Sequence, residues 1–160
     1  MTTILTPAPV GTIDSALGEF VDILVPNEVE AAALTGLDCD DESRVPAIAR
    51  RLTSEWDLHG CVITLGARGA FVRDELTGEE IRIPAHRVAT VDTVGAGDAF
   101  CGSLAASLAA GARLTDAVRL ANAAGALSTT RHGAAASAPT RPTAEALRDT
   151  HQIPATHKSS

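Results

Sequence analysis

Short apolar runs, each stopped by proline or glycine, alternate with stretches of helical propensity along most of the chain, and this alternation is the strongest constraint on its fold. Residues 2–5 form a brief β-favouring run ended by Pro7 and Pro9, and residues 20–25 form a second, ended by Pro26. A helix over 28–35 follows, carrying Ala31, Ala32, Ala33 and Leu34, with Gly36 as its stop. The next helix covers 44–56 and puts Val45, Ile48, Ala49 and Leu52 on one face. Residues 60–65 read as a buried strand, residues 66–69 as a turn with two glycines, and residues 70–73 and 80–84 as a hairpin around Leu76, Thr77 and Gly78. An extended segment at 87–91 leads into two alanine-rich helices, 96–110 and 115–129, separated by Gly111. Both are apolar nearly all round, which predicts burial for both. A last helix over 143–150 precedes residues 151–160, expected to be a disordered polar tail. The pattern predicts an α/β fold with a mostly parallel sheet covered on both faces, in one domain over residues 1–150.

Composition removes several classes of function. The formal charge is −7, the one lysine is Lys158, and the arginines are scattered, so no basic stripe exists for a nucleic-acid backbone. Phe20, Trp56, Phe71 and Phe100 are the only aromatics, too few for a base-stacking platform. No apolar run reaches the roughly 18–20 residues that span a bilayer, and the first residues carry no export signal, so a cytoplasmic location is expected. Cys39, Cys61 and Cys101 are far apart and read as reduced thiols. His59, His86, His132, His151 and His157 never form the helical pair of a zinc hydrolase. The acidic run 38–43 has Ser43 where a calcium loop needs glycine, and it reads as a solvated loop.

The densest chemical signal is Asp92-Thr93-Val94-Gly95-Ala96-Gly97-Asp98, a turn through two glycines into a helix. Glycines there let a ligand approach the backbone, and the N–H groups of a helix start make an anion site. A carboxylate at that place, Asp98, would repel a phosphate if it were only a cap, but it suits a proton acceptor from an attacking hydroxyl. The alternative is that Asp98 is simply an N-terminal helix acid. No Walker lysine and no third Rossmann glycine are present, so phosphate contacts must come from backbone amides or an arginine. Elsewhere, Asn27 and Glu30 could be a helix cap and its reciprocal acid, Gly66 and Gly69 could serve only a hairpin turn, and Ser137 could be an ordinary loop serine.

The 92–98 segment resembles the C-terminal signature of the ribokinase-like (PfkB-type) carbohydrate kinases. Thr6-Pro7-Ala8-Pro9, Pro26-Asn27-Glu28-Val29-Glu30, Ile63-Thr64-Leu65-Gly66-Ala67-Arg68-Gly69 and Thr130-Arg131-His132-Gly133-Ala134-Ala135-Ala136-Ser137 are similar to further motifs of that family, in the family's order and most like its ribokinases. The resemblance implies a three-layer α/β/α fold and ATP-dependent phosphorylation of a sugar hydroxyl, ribose to ribose 5-phosphate. It implies that Asp98 is the general base and contacts the sugar, and that the amides of Gly95, Ala96 and Gly97 form the anion hole. It implies that Asn27 and Glu30 help place Mg2+ and the phosphates, largely through water, that Thr64, Gly66 and Gly69 line the nucleotide, and that Asn122 lies near adenine. It further implies a potassium site from the Asp92 and Ser137 side chains with the carbonyls of Val94, Ser128, Arg131 and Gly133, an all-oxygen set suited to a hard cation.

The family's sugar-binding glycine-rich region and β-strand lid precede everything seen in this sequence, so the resemblance implies a chain truncated at its N-terminus to the nucleotide-binding half. Positioning supplies most of the rate in phosphoryl transfer, so activity without a sugar clamp is expected to be impaired. The strand at 2–5 would be left at an unpaired edge, and a homo-oligomer or a complementing N-terminal fragment is expected to cover it. The alternatives to ribose phosphorylation are a non-catalytic nucleotide-binding fragment and a kinase for another sugar or a nucleoside.

Overall fold

The computed structural model describes residues 1–8, 13, 15–38, 41–133 and 136–150, with backbone alone at 15 and 16. Expectations for Cys39, for Ala134 and Ala135 and for the tail at 151–160 lie outside the described residues. The strands are β1 (Ile4–Leu5), β2 (Ile23–Leu24), β3 (Gly60–Thr64), β4 (Ala70–Asp74) and β5 (Glu79–Ile83), and the helices are α1 (Glu28–Thr35), α2 (Val45–Trp56), α3 (Ala96–Ala109), α4 (Leu114–Ser128) and α5 (Arg141–Thr150).

The five strands form one sheet in sequence order. β1, β2 and β3 run parallel, with Ile4 opposite Ile23 and Ile23 opposite Gly60. β4 is antiparallel to both its neighbours, with Cys61 opposite Arg73 and Phe71 opposite Arg82. The expected mostly parallel sheet is therefore corrected to a mixed one. Crossovers long enough to hold a helix join β2 to β3, whereas β3, β4 and β5 are joined by tight turns that can only reverse the chain.

Side chains alternate across the sheet with a period of two residues, and each set meets its own helices. Leu24, Cys61, Ile63 and Phe71 pack with Ala31 of α1 and Ile48, Leu52 and Trp56 of α2. Ile23, Val25, Val62, Ala70 and Val72 pack on the other face with Phe100 and Leu104 of α3 and Val118 and Ala121 of α4. The result is the expected three layers, with α5 added outside α4 through Ala144 against Leu120 and Ala124. Among the described residues no helix is long and apolar enough to cross a membrane.

Three local expectations are corrected. The run 20–25 yields only a two-residue strand, because Ser15–Phe20 winds into a 3-10 helix and Pro26 ends the segment. Residues 87–91, expected as an extended segment, form no strand; the Val91 N–H donates to the Thr129 carbonyl at 2.7 Å. Helix α3 is not buried on all sides: Gly102, Ala105, Ala106 and Ala109 are exposed. β1 holds its place through Asp22, whose Oδ2 accepts from the Thr3 N–H at 2.7 Å and from the Thr3 hydroxyl at 2.9 Å.

Candidate active site

The site lies where the loops after β2, β3 and β5 meet the first turn of α3. The parallel register of β2 and β3 continues past their ends, with the Thr64 N–H donating to the Pro26 carbonyl at 2.9 Å and a bridge between Asn27 and Thr64. This sets the first turn of α1 beside the 66–69 turn. Asn27 Oδ1 accepts from the Glu30 N–H at 2.9 Å, and Glu30 Oε2 accepts from the Asn27 N–H at 2.8 Å. The two residues thus form a reciprocal capping box, satisfying two N–H groups that a helix start leaves without partners. Glu30 is buried, while Asn27 is exposed to the cleft.

Gly69 carries φ +97°, and a Cβ there would stand 2.0 Å from the Ile83 carbonyl oxygen, so only glycine lets the turn close on the end of β5. Beyond β5, the chain is pinned by Asn122 of α4, whose Nδ2 donates to the Pro84 carbonyl at 2.7 Å. Gly125 of the same helix permits a close approach to α3, since a Cβ there would lie 3.3 Å from the Ala96 carbonyl oxygen. Helix α3 starts at Gly95, with φ +81° and no side-chain cap. The Ala96 N–H donates to the Thr93 carbonyl at 3.2 Å, whereas the N–H groups of Gly97 and Asp98 lack intrahelical acceptors and remain available to an anion.

These elements enclose a cleft of about 870 Å³ lined by Asn27, Thr64, Gly66, Gly69, Ala96, Gly97 and Asn122 among others. Six of the expected site residues, separated by up to seventy positions in the chain, thus converge with Asn122 on one space. Glu30, Gly95 and Asp98 do not line it. Asp98 is exposed and faces a second groove, of about 470 Å³, between α3, α4 and α5. Consecutive residues of one helical turn, Gly97 and Asp98, therefore address two different cavities. Glu30 and Asp98 are near enough to act on a common neighbour: burial, then the Asp98 and Glu30 carboxylates, push the Cys101 thiol up to about 11.

Of the expected potassium ligands, the fold brings Asp92 together with Val94 and Gly133. Asp92 Oδ1 accepts from the Val94 N–H at 3.0 Å and Oδ2 from the Gly133 N–H at 3.2 Å. These two bonds, helped by His132 with its Nδ1 3.9 Å away, hold the Asp92 carboxyl below its usual range. Ser128 and Ser137 are buried and Arg131 is exposed; the Ser128 hydroxyl donates to the Gly125 carbonyl at 2.8 Å. Among the described residues no three His, Cys, Asp or Glu side chains form a metal cluster, so any cation there would depend on carbonyl oxygens around Asp92.

Sequence reasoning missed the wall formed by Pro84, Ala85, His86 and Arg87, and the contributions of Arg68 and Thr129. Pro84 signalled a strand end but not what lay beside it. Asn122, expected near adenine, lines the large cleft, and its Nδ2 is bonded to Pro84.

Residues 1–141 match the pfkB family of carbohydrate kinases. The chain is 37% identical over 139 residues to the ribokinase of Haemophilus influenzae, covering 86% of this chain and 44% of that protein. Its fold is similar to the structure of Arabidopsis thaliana ribokinase complexed with ribose and ATP, with a TM-score of 0.84, 27% identity, and coverage of 92% of this chain and 47% of that one. It is also similar to Escherichia coli phosphofructokinase-2 in complex with potassium, with a TM-score of 0.76, 25% identity, and coverage of 87% of this chain and 44% of that one. The chain thus spans about half the length of the relatives it matches. On the extent of that match, it belongs to the pfkB family of carbohydrate kinases.

Proposed function

We propose that this chain is the nucleotide-binding half of a ribokinase-type kinase, the C-terminal half, and that it takes part in ATP-dependent phosphorylation of ribose to ribose 5-phosphate. The observation that carries this reading is the first turn of α3, where Gly97 lines the large cleft and Asp98 the groove beside it. ATP lies in the large cleft between Thr64, Gly66, Gly69 and Asn122, with its γ-phosphate against the amides of Gly95, Ala96 and Gly97. The sugar hydroxyl approaches from the Asp98 side. Its oxygen bonds to the γ-phosphorus as the bond to the β-phosphate oxygen breaks; Asp98 receives the hydroxyl proton and ADP leaves with the electron pair. The preformed amides stabilise charge on the transferring group without having to reorganise.

Asn27 lines the cleft and is bonded to the buried Glu30 behind it, an oxygen-bearing pair that fits a hold on Mg2+ through its water shell. The Asp92 carboxylate beside the 128–133 turn, with Ser137, fits a hard cation such as potassium. When bound, these cations neutralise phosphate charge and firm the anion hole.

A second reading, a non-catalytic nucleotide-binding module, is favoured by the chain's covering about half of its relatives. A kinase acting on another sugar or a nucleoside is the third. A coupled assay with ribose and ATP tests the first: Asp98→Asn is expected to lower turnover about 10²–10⁴-fold with ATP binding kept. Equal turnover in both proteins would remove Asp98 from the mechanism, and ATP binding by calorimetry with no phosphorylation of any acceptor would select the second reading. We also propose that the open edge of β1, paired only with β2 among the described residues, is covered by a second copy or by a complementing N-terminal polypeptide. A stable monomer at high dilution in sedimentation velocity would oppose this.

A further inference from the structure

We infer that Arg87 is the side chain that binds the polyphosphate of the nucleotide, while Arg68, in the same cleft, is a strut that holds the cleft wall; this rests on the nucleotide reading above. The cleft is lined by the ionisable side chains of Glu28, Arg68, His86 and Arg87. The chain carries a formal charge of −7 and its one lysine lies outside the described residues, so an entering polyphosphate needs local positive charge from these arginines.

The two arginines differ in what already holds them. Arg68 Nη2 is bonded to Glu28 Oε1, and its Nη1 donates to Glu42 Oε1 at 2.9 Å. Arg82 completes the chain of charges, with Nη1 3.0 Å from Glu42 Oε2 and Nη2 donating to the Arg68 carbonyl at 3.3 Å. Arg68 thus ties α1, the 42–44 turn, the 66–68 turn and β5 together, and its charge is cancelled by two carboxylates. A phosphate approaching Arg68 would meet those two carboxylates as well.

Arg87 forms no ion pair among the described residues and is exposed. Its backbone is nonetheless held, because Asn122 anchors Pro84 and the segment continues through buried His86. A guanidinium on an anchored segment, uncommitted and lining the same cleft as Ala96 and Gly97, can give a phosphate a planar, two-pronged bond while the helix amides meet another oxygen. The arrangement answers the lack of a Walker lysine with a free arginine and a set of amides.

The test compares wild type, Arg87→Gln, Arg87→Lys and Arg68→Gln in the full chain, measuring the affinity for ATP and for adenosine by calorimetry at low and high salt, with thermal unfolding alongside. Arg87→Gln is expected to weaken ATP about tenfold, to flatten its salt dependence, and to leave adenosine binding and the unfolding midpoint unchanged. Arg87→Lys, which keeps the charge but not the two-pronged geometry, is expected to fall between wild type and Arg87→Gln. Arg68→Gln lowers the midpoint but changes ATP affinity less than twofold. Unchanged ATP affinity in Arg87→Gln, an equal loss for adenosine, or a larger ATP loss in Arg68→Gln would overturn the assignment while leaving the nucleotide site intact. A wild-type chain that binds neither ATP nor adenosine would instead overturn the nucleotide reading, and the assignment with it.

Discussion

Helices α3 and α4 have similar alanine-rich compositions and pack against each other, yet α4 buries eleven of its fifteen residues and α3 only Phe100, Leu104 and Ser107 of its fourteen. The difference is one of neighbours. α4 lies between α3, α5 and the β4–β5 side of the sheet, so most of its surface meets protein and only Asp116 is exposed. α3 meets α4 and the sheet along one stripe and leaves Gly102, Ala105, Ala106 and Ala109 to solvent. An alanine methyl exposes little apolar area, so such a helix can remain in water where a leucine-rich one could not. α4 therefore acts as the fixed support, through Asn122 and Gly125, and α3 presents its first turn to both cavities.

The contrast is open to direct test. Leu120→Ala removes a buried side chain between α4 and α5 and is expected to cost about 2–5 kcal/mol in denaturant unfolding. A loss below 1 kcal/mol would mean that α4 is not the enclosed helix. Gly125→Ala forces a methyl toward the Ala96 carbonyl and is expected to cost about 1–3 kcal/mol, together with weaker ATP binding because the start of α3 must move. Retained ATP affinity would separate α4 from the geometry of the cleft.

A control away from both helices is Glu75, whose carboxyl is lowered from 4.5 to about 2, first by the Arg73 guanidinium and then by the Thr53 hydroxyl. A carboxyl depressed in the folded state adds stability above its unfolded value, so this contribution is lost as pH falls from about 4.5 to about 2. The pair stands at the surface, so the loss is small and salt-screened, and Glu75→Gln should flatten it in acid titration of the unfolding midpoint. Smallest of all, Ala105→Glu on the outer face of α3 should stay within about 0.5 kcal/mol of wild type. A larger loss would show that face to be covered in solution.

What could be read in advance followed where local chemistry dictates geometry. The α1 boundaries and its Gly36 stop, the amphipathic α2 and the 70–83 hairpin all rest on residues whose own preferences settle the matter. Likewise Gly69 and Gly95 announced themselves because positive φ and close approach leave no other residue. What depends on distant partners was hidden. Residues 20–25 look like a strand, but Asp22 bonds back to Thr3 and the preceding turn winds into a 3-10 helix. The exposure of α3, the wall at 84–87 and the difference between Arg68 and Arg87 all follow from tertiary neighbours that no window of sequence contains.

The bond pair between Asn27 and Glu30 has a consequence for any mutational study of this region. Each residue is the other's partner, so deleting either side chain frays the start of α1 and shifts the cleft edge at the same moment. Each bond joins one residue's side chain to the other's backbone N–H, so each single variant loses one bond and the double variant, which loses both, should be the worse. The start of α1 and the edge of the cleft are thus held by the same two bonds, so a variant that loosens one is expected to move the other.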